Sequence, residues 1–416
     1  MMPSNSTSRG ASPQTMPPRA IITILLCLLV ATFEGIDLQA AGVVAPQVVP
    51  LFHFAVFELK WFLAASTIGL VVGALVGGRV ADLWGRKAAL MISIALFGIF
   101  SVATALAASK LQLIEARFLT GLGLGGALPN LIALTAESAP PHQKRFAVAM
   151  MYIGMPLGGG GAGLLSLIGA NSSGWQDMFY IGGIAPLLLL PLLAWLLRES
   201  SEFRTVHAAK SSLGIGQGLW ANGRAVQSLL LWTSFFAALL VLYLLLNWLP
   251  SLLVARGLTR VDASWIQVAF NLVGAVGVVL SGALLARSPR VTVLVFFGGT
   301  ILGLVLLATV PAQFGVELLA GSLVGAAVLG CQSMLYAIAP GLYPTALRGT
   351  GVGAAVSAGR LGSVAGPLVA GIVLQTGGSA SSVLTYLLPV SAVGLITSMI
   401  LVRKISYQDP KLVPGD

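Results

Sequence analysis

The sequence has few charged residues and few of the side chains that hold metals. Asp, Glu, Lys and Arg make up 9% of its 416 residues, whereas hydrophobic residues make up 57%, and the mean hydropathy is +0.94. These values lie far outside the range of soluble domains. The chain contains two cysteines and three histidines, without an HExxH or CxxC pattern. The composition therefore argues against a soluble protein, a disulfide framework and a zinc or haem enzyme, and it implies no cofactor.

Long apolar runs recur along the whole chain. A helix needs about 20 apolar residues to cross the hydrocarbon layer of a membrane. Runs of about this length lie at approximately 21–46, 61–80, 88–107, 111–134, 146–169, 178–197, 226–253, 264–285, 291–310, 316–336, 349–374 and 383–402. They predict an all-α polytopic membrane protein with twelve transmembrane helices.

One long polar connection, residues 198–225, divides the predicted helices into two six-helix bundles, at 21–197 and 226–402. Residues 1–20, rich in Ser and Pro, and residues 403–416 are expected to form terminal tails. A cleaved signal peptide is the competing interpretation of the N-terminus. The first apolar run is too long for a signal core and contains two acids, which favours a retained helix.

The net charge of +10 is unevenly distributed. Most Lys and Arg residues fall in the predicted tails and loops on the side of the N-terminus. Four fall on the other side, at Lys60, Lys110, Arg256 and Arg260. Because positively charged loops stay in the cytoplasm, both termini are predicted to be cytoplasmic. This distribution accounts for the positive charge without nucleic acid as a partner.

Two carboxylates, Glu34 and Asp37, interrupt the first apolar run. A charge near the bilayer centre costs roughly 2.5 to 3.5 kcal/mol, so such acids are normally paired, face a polar cavity or carry protons. At about 1.5 Å per residue, they lie roughly 20 and 24 Å from the inner edge, at the level of Arg117 in the fourth run. Because they are three residues apart, we expect both acids to project from one helix face towards the same cavity as Arg117.

Two arginines lie within apolar runs, Arg117 and, close to the predicted midplane, Arg360. Arginine binds a carboxylate through two hydrogen bonds and stays charged, so two arginines at a central cavity suit a carboxylate substrate. Burial raises the pKa of a carboxyl group, whereas a neighbouring arginine lowers it. Occupancy of the cavity could therefore decide whether Glu34 or Asp37 is protonated. The alternative is that Arg117 and one acid form a fixed structural ion pair.

Two glycine-rich stretches have the form of nucleotide-binding motifs but not their context. Residues 121–126 satisfy GxGxxG, yet they lie inside an apolar run that no strand precedes. Residues 158–161 are four consecutive glycines after Pro156, without the Lys and Ser or Thr of a phosphate loop. We interpret the first stretch as close helix packing and the second as a bendable, tightly packed helix.

The loop between the second and third runs reads GRVADLWGRK. It resembles the signature loop of the major facilitator superfamily, GxLADRxGRK, from which Val80 and Leu83 depart. The resemblance implies a latch that holds helices in one of two alternating states, and the alternative is a charge cluster that only sets topology. A second copy, at 282–290, has Ala286 in place of the acid, so a latch there must be weaker. The latch residues would be Gly78, Asp82, Gly85, Arg86 and Lys87.

A narrower resemblance covers all twelve predicted helices. Segments 34–37, 247–250, 348–353 and 359–362, with Gln332, Ser333 and Tyr336, are similar to the aromatic acid:proton symporter family. Many members of that family carry Asp where this chain has Glu34. This departure, with segments 38–42 and 127–135, is most similar to the transporters of 3-(3-hydroxyphenyl)propionate.

The resemblance implies a major facilitator fold that imports an aromatic carboxylate with protons across a bacterial inner membrane by alternating access. The expected partners are the substrate, protons and the lipid bilayer, and we expect a monomer. The implied roles are proton coupling for Glu34 and Asp37 and substrate binding for Arg117 and Arg360. Further polar residues could line the cavity and bind a phenolic hydroxyl, or could equally be contacts between helices: Asn130, Tyr152, Asn247, Asn271, Gln332 and Tyr336.

Two other classes of function stay open from the sequence. A proton antiporter that exports drugs would ideally carry adjacent Gly and Pro in the fifth helix, whereas Met155 separates Gly154 from Pro156. A membrane-embedded enzyme or a receptor-like scaffold would need a nucleophile, a metal cluster or an appended soluble domain, and the sequence supports none of these.

Overall fold

The computed structural model describes residues 16–140, 143–168, 174–197, 199, 224–343 and 348–408. Most of the predicted N-terminal tail and central loop, and the last part of the C-terminal tail, lie outside the described residues. The side chains of Asp82, Arg145, 348–350 and 405–408 lie outside them as well. The domain boundaries in those segments stay predictions.

The described part of the chain is helical along nearly its whole length. Twelve segments are long and apolar enough to cross a membrane, which confirms the predicted number. The helices are α1 (Pro18–Leu51), α2 (Val56–Trp84), α3 (Arg86–Ala105), α4 (Lys110–Ser138), α5 (Lys144–Tyr152), α6 (Gly154–Ile168), α7 (Trp175–Leu196), α8 (Arg224–Ala255), α9 (Arg260–Arg287), α10 (Pro289–Thr309), α11 (Phe314–Ile338), α12 (Arg348–Gln375) and α13 (Ala380–Gln408).

Several helices begin with polar turns that a count of apolar residues misses. Helix α9 begins with a capping box, in which the Asp262 amide donates to Thr259 Oγ1 at 3.1 Å and the Thr259 amide donates to Asp262 Oδ2 at 3.2 Å. Ser109 caps α4 by accepting from the Gln112 amide at 3.3 Å. Such caps satisfy the free N–H groups of a first turn, so the helices can extend beyond the apolar runs.

The fifth transmembrane segment is interrupted at Ile153, between α5 and α6. Pro156 follows within one turn and has no N–H to donate to the carbonyl of residue 152. The glycines on either side of Pro156 let α6 approach α1. A Cβ atom built on Gly154 would lie 2.5 Å from the carbonyl oxygen of Leu28, and one on Gly158 would collide with that of Thr32. The tight packing expected of this glycine-rich segment is therefore observed, and its bendability stays a prediction.

Glycines also bring α2 and α4 together. Side chains at Gly69 and Gly73 of α2 would collide with the carbonyl oxygens of Phe118 and Leu122. A side chain at Gly125 of α4 would in turn collide with that of Leu70. Small residues four positions apart allow such close approach of membrane helices. The stretch 121–126 is thus a packing motif, as predicted.

Helices α1–α7 and α8–α13 pack as two six-span bundles, which we call the N-half and the C-half. We call the side where α1 begins and α13 ends the terminal side, and the other side the opposite side. The halves meet through α1 with α8, α2 with α12, and α6 with α9. Near the opposite side, Lys60 donates to Gln375 at 3.3 Å and Ser264 to Ser166 at 3.2 Å. The halves are therefore joined towards that side.

Candidate functional site

Asp37 and Arg117 form an ion pair in the interior of the N-half. Arg117 Nη1 lies 2.9 Å from Asp37 Oδ2, and Nη2 donates to the Asp37 carbonyl oxygen at 2.9 Å. Ser101 of α3 donates to the other carboxylate oxygen, Oδ1, at 2.5 Å. The side chains of both charged residues are fully buried. Three helices, α1, α3 and α4, therefore meet at one carboxylate.

Helix α7 completes this environment. The guanidinium carbon of Arg117 lies 5.3 Å from the centre of the Phe179 ring, a distance suited to a cation–π contact. One turn further along α7, a Cβ atom on Gly182 would lie 3.6 Å from Asp37 Oδ1, so the carboxylate packs against bare backbone. Water is excluded from the pair on this side.

The structure corrects the expected arrangement of the acids. Glu34 and Asp37 do not both face Arg117, because a separation of three residues on a helix rotates the side chains by about 60°. Asp37 contacts Ser101 of α3 and Arg117 of α4, whereas Glu34 interacts electrostatically with Arg360. The depth prediction for Arg117 holds, but Arg360 donates to Tyr243 and is not the partner of Asp37. Arg117 is paired with Asp37 instead.

Arg360 lies at the centre of a second polar group, on α12. Its Nη1 donates to the phenolic oxygen of Tyr243 at 2.7 Å, and its guanidinium carbon lies 5.9 Å from the Tyr243 ring centre. Tyr152, Tyr336 and Glu34 are also within electrostatic reach of Arg360. Glu34 is buried, and its Oε2 atom has no hydrogen-bond partner among the described residues. We call Glu34, Tyr152, Tyr243, Tyr336 and Arg360 the central cluster.

Aromatic rings from both halves line the central cluster. The ring centres of Tyr152, from the N-half, and Tyr336, from the C-half, are 6.4 Å apart. Phe235 meets Tyr336 edge to face at 5.1 Å. These separations are typical of attractive aromatic pairs. An arginine, a carboxyl group and several aromatic faces thus share one site at the boundary between the halves.

The backbone of α12 holds Arg360 firmly against α8. Side chains at Gly362 and Gly366 would collide with the carbonyl oxygens of Phe236 and Leu240. The two helices can therefore approach closely around Arg360 and Tyr243. The indole N–H of Trp248 on α8 also donates to the carbonyl oxygen of Pro367 at 3.1 Å.

The other predicted cavity residues are less clearly placed for binding. Asn130 donates to the Gly126 carbonyl at 2.8 Å and Asn247 to that of Tyr243 at 2.7 Å, each within its own helix. Asn247 Oδ1 has no partner within the described part of the chain. Gln332 is buried one turn before Tyr336. Their substrate contacts stay predictions.

Three amide side chains of α1 and α9 join the halves. Gln39 of α1 and Asn271 of α9 exchange two hydrogen bonds, of 2.9 and 2.8 Å. Gln267 donates to Gln39 Oε1 at 2.6 Å. All three are buried, and a side chain at Gly159 of α6 would collide with Gln39. We call Gln39, Gln267 and Asn271 the amide cluster.

The predicted latch loop joins α2 to α3 on the terminal side. Gly85 has φ +94°, and a side chain there would collide with the carboxyl group of Glu199. Glu199 Oε1 accepts from the amides of Arg86 and Lys87 at 2.8 and 3.2 Å, so a carboxylate caps the positive N-terminus of α3.

Side chains of the same loop reach α4 and α7. Arg86 Nε lies 3.4 Å from Glu137 Oε1, and Lys87 Nζ donates to the Ala194 carbonyl at 2.6 Å. These contacts stay within the N-half. A side chain at Gly78 would meet no other atom within 4 Å. The side chain of Asp82 lies outside the described residues, so its latch role stays a prediction.

Sequence reasoning missed Tyr243, Ser101 and the role of Gln39. Tyrosine in a membrane helix usually lies at the interface, so Tyr243 near the middle of α8 was a usable signal. A single serine in an apolar helix, such as Ser101, carries no such signal. Gln39 was visible as a polar residue next to the two acids, but its partners on α9 are more than 220 positions away.

The chain matches the family model described as "Major Facilitator Superfamily" over residues 27–367 and 231–415. The chain belongs to the major facilitator superfamily. It is 43% identical over 399 residues to a protein of Escherichia coli (strain K12) described as a 3-(3-hydroxy-phenyl)propionate transporter, covering 95% of this chain and 98% of that one. It is 32% identical to a Pseudomonas putida gallate transporter, covering 86% of each. The superfamily and these relatives are transporters, so this member is a transporter rather than an enzyme.

A solved structure supports the same fold. The D-xylose–proton symporter is 18% identical, with a TM-score of 0.73 over 95% of this chain and 98% of that one. At this identity the likeness concerns the fold alone. The predicted major facilitator fold, with twelve transmembrane helices in two bundles, is confirmed.

Proposed function

We propose that the protein is a proton-coupled symporter that imports an aromatic carboxylate, such as 3-(3-hydroxyphenyl)propionate or a related hydroxylated aromatic acid. The observation that carries this proposal is the central cluster, where Arg360 and Glu34 share a site with three tyrosines. The relatives described as transporters of 3-(3-hydroxy-phenyl)propionate and of gallate support the same substrate class.

Arg360 is suited to bind the substrate carboxylate. A guanidinium has five N–H donors, and Tyr243 is the hydrogen-bond partner of one Arg360 nitrogen. The remaining donors can form a two-hydrogen-bond contact with a carboxylate. The substrate ring would then lie against Tyr152, Tyr336 and Phe235, whose ring faces border the same site. The tyrosine hydroxyls offer partners to a hydroxyl group on that ring.

Competition for Arg360 gives a simple means of coupling. An ionised Glu34 neutralises Arg360 and repels a second carboxylate, so it opposes substrate binding. A protonated Glu34 leaves Arg360 free for the substrate. Proton and substrate then favour each other's binding, which is the thermodynamic requirement for symport. The Oε2 atom of Glu34 has no hydrogen-bond partner among the described residues. This supports a role for Glu34 in proton exchange rather than in a fixed hydrogen-bond network.

Asp37 is the second proposed proton site. Its partner Arg117 lies on α4, so a change in the charge of Asp37 alters the attraction between α1 and α4 within the N-half. We propose that Arg117 acts through Asp37 in this state, rather than as a direct ligand of the substrate. A buried ion pair that loses one charge is strongly destabilised, which makes it a suitable conformational switch.

The proposed location is a bacterial inner membrane, with both termini in the cytoplasm. The terminal side then faces the cytoplasm, and the contacts that join the halves lie nearer the outside. The amide cluster is proposed to help close the outer path, and the loop around Asp82, Arg86 and Lys87 to act as a latch on the cytoplasmic side. Alternating access would then require these contacts to separate in turn.

Uptake into proteoliposomes tests the proposal. Labelled 3-(3-hydroxyphenyl)propionate should accumulate when the lumen is made alkaline and should only equilibrate without a pH gradient. The primary amide of the same acid is the matched control, because it keeps the ring and loses the negative charge. Uptake that ignores the gradient would contradict proton coupling, and equal uptake of the amide would contradict carboxylate recognition. Gradient-driven efflux of neutral or cationic drugs would favour the antiporter instead.

A further inference from the structure

The hydroxyl group of Ser101 lies between two acceptors. Ser101 Oγ is 2.5 Å from Asp37 Oδ1 and 3.1 Å from the carbonyl oxygen of Phe179 on α7. Ser101 is fully buried. A hydroxyl has one proton to donate and two lone pairs that accept. It can therefore donate to only one of these oxygens at a time, and it can accept only from a protonated Asp37, because a carbonyl oxygen has no proton to donate.

We propose that Ser101 is the positioning residue that keeps Asp37 hydrogen-bonded both when it takes up a proton and when it releases that proton. When Asp37 is ionised, the Ser101 hydroxyl donates to Oδ1. When a proton binds Oδ1, the new carboxyl O–H donates to Ser101 Oγ, and the serine O–H turns to donate to the Phe179 carbonyl. One proton is added to Asp37, one O–H bond rotates, and no other covalent bond changes. This inference rests on the proposed proton coupling.

The Arg117 contacts of Asp37 can persist at the moment of protonation, before α1 and α4 respond to the lost charge. Arg117 Nη1 still contacts Oδ2, and Nη2 still contacts the Asp37 carbonyl oxygen, neither of which receives the proton. A buried carboxyl group needs a hydrogen-bond partner in each charge state, because an unpaired buried polar group is costly. The Ser101 hydroxyl can act as a hydrogen-bond donor or as an acceptor from one position, whereas the methyl group of alanine can do neither.

Few other ionisable groups near Asp37 can change how readily it takes up a proton. Of the helices packed against α1, α4 contributes Arg117, α8 contributes Tyr243 and α5 contributes Tyr152, and Arg360 of α12 interacts electrostatically with Glu34. The last two lie on the side of Glu34, which itself interacts with Asp37 along α1. Helix α3 offers Asp37 the hydroxyl of Ser101, whose second contact is the Phe179 carbonyl oxygen of α7, and Gly182 of α7 packs against Asp37 without a side chain.

The test compares Ser101→Ala with Ser101→Thr in proteoliposomes. The pH profile of substrate counterflow should shift by about one unit in Ser101→Ala, because a hydrogen bond to a charged group is stronger than one to a neutral group. Uptake driven by a pH gradient should fall several-fold. Ser101→Thr keeps the hydroxyl and should restore the wild-type profile. Ser93→Ala removes a buried serine two turns earlier on α3 and should have no effect.

A second background separates positioning from a general loss of structure. In Asp37→Asn, which cannot ionise, adding Ser101→Ala should not shift the pH profile further. A wild-type profile in Ser101→Ala would overturn the inference and leave proton coupling standing. If substrate uptake by the wild type does not depend on the pH gradient, both the proposed proton coupling and this inference are wrong. Should Ser101→Ala not fold, Ser101→Cys, a weak donor of similar size, should give an intermediate shift, and a wild-type profile there would also overturn the inference.

Discussion

Removing the Arg360 guanidinium should weaken substrate binding more than any other single change in the central cluster. Arg360 is 8% exposed, and its Tyr243 partner is 4% exposed, so water cannot readily replace a lost contact. Arg360→Ala removes the charge, and Arg360→Lys keeps the charge but loses the planar fork. The two substitutions therefore separate attraction by charge from the two-hydrogen-bond geometry.

The expected magnitude follows from the burial of the site. Truncating one partner of a buried, hydrogen-bonded charge pair costs about 2 to 5 kcal/mol. This range corresponds to a rise in Kd of about 30-fold to a few thousand-fold in Arg360→Ala. Arg360→Lys should lie between this variant and the wild type. The loss should be larger when Glu34→Gln is already present, because Arg360 then binds the substrate without competition from Glu34.

Equilibrium binding of labelled substrate to purified protein in detergent is the appropriate assay. Arg403→Ala is the matched control, since it removes the same charge from an exposed position on α13. Thermal unfolding of each variant shows whether the protein remains folded. Unchanged substrate affinity in a folded Arg360→Ala variant would refute Arg360 as the carboxylate-binding residue, and the central cluster would need another ligand.

Three further predictions concern coupling and conformational change. Asp37→Asn mimics the protonated acid, so it should exchange labelled for unlabelled substrate in counterflow but should not concentrate substrate against a gradient, and wild-type-like uphill uptake would contradict this. Asp82→Asn should bind substrate normally and turn over more slowly, because it weakens the latch and not the binding site, and normal transport rates would rule out the latch. Gln39→Leu removes the hydrogen bonds to Gln267 and Asn271, so an impermeant maleimide added from the outside should label Ser264→Cys about 5-fold faster or more. Equal labelling rates with and without Gln39→Leu would show that the amide cluster does not hold this side closed.

The transmembrane helices could be predicted because their signal is local. The length and hydropathy of each apolar run depend only on neighbouring residues, and all twelve appear in the structure. The helix ends were less predictable, since polar caps such as Thr259 and Ser109 extend helices beyond the apolar runs. The break at Ile153 was signalled by Pro156 and the glycines around it.

The site was predictable in its residue types and depths but not in its pairings. A fixed rise per residue was enough to place Arg117 at the level of Asp37. The rotation of α1 about its own axis decides which acid meets which arginine, and this depends on packing against helices distant in sequence. Tyr243 lies 117 positions before Arg360, so no local pattern could reveal their hydrogen bond. For the same reason the sequence indicated Asn271 as a possible contact between helices but did not reveal its hydrogen bonds with Gln39.

Within six consecutive residues, α1 contacts three systems that a symporter must coordinate. Glu34 faces the proposed substrate site, Asp37 belongs to the buried ion pair, and Gln39 belongs to the contact between the halves. The distance from the first to the last is about 7.5 Å along the helix. Coupling between the proton, the substrate and the gate would then need no chain of contacts across the protein. A small rotation or translation of α1 changes the contacts of all three residues at once. The ratio of protons to substrate should therefore be unusually sensitive to mutations that alter how α1 sits against its neighbours, even where they touch no polar group.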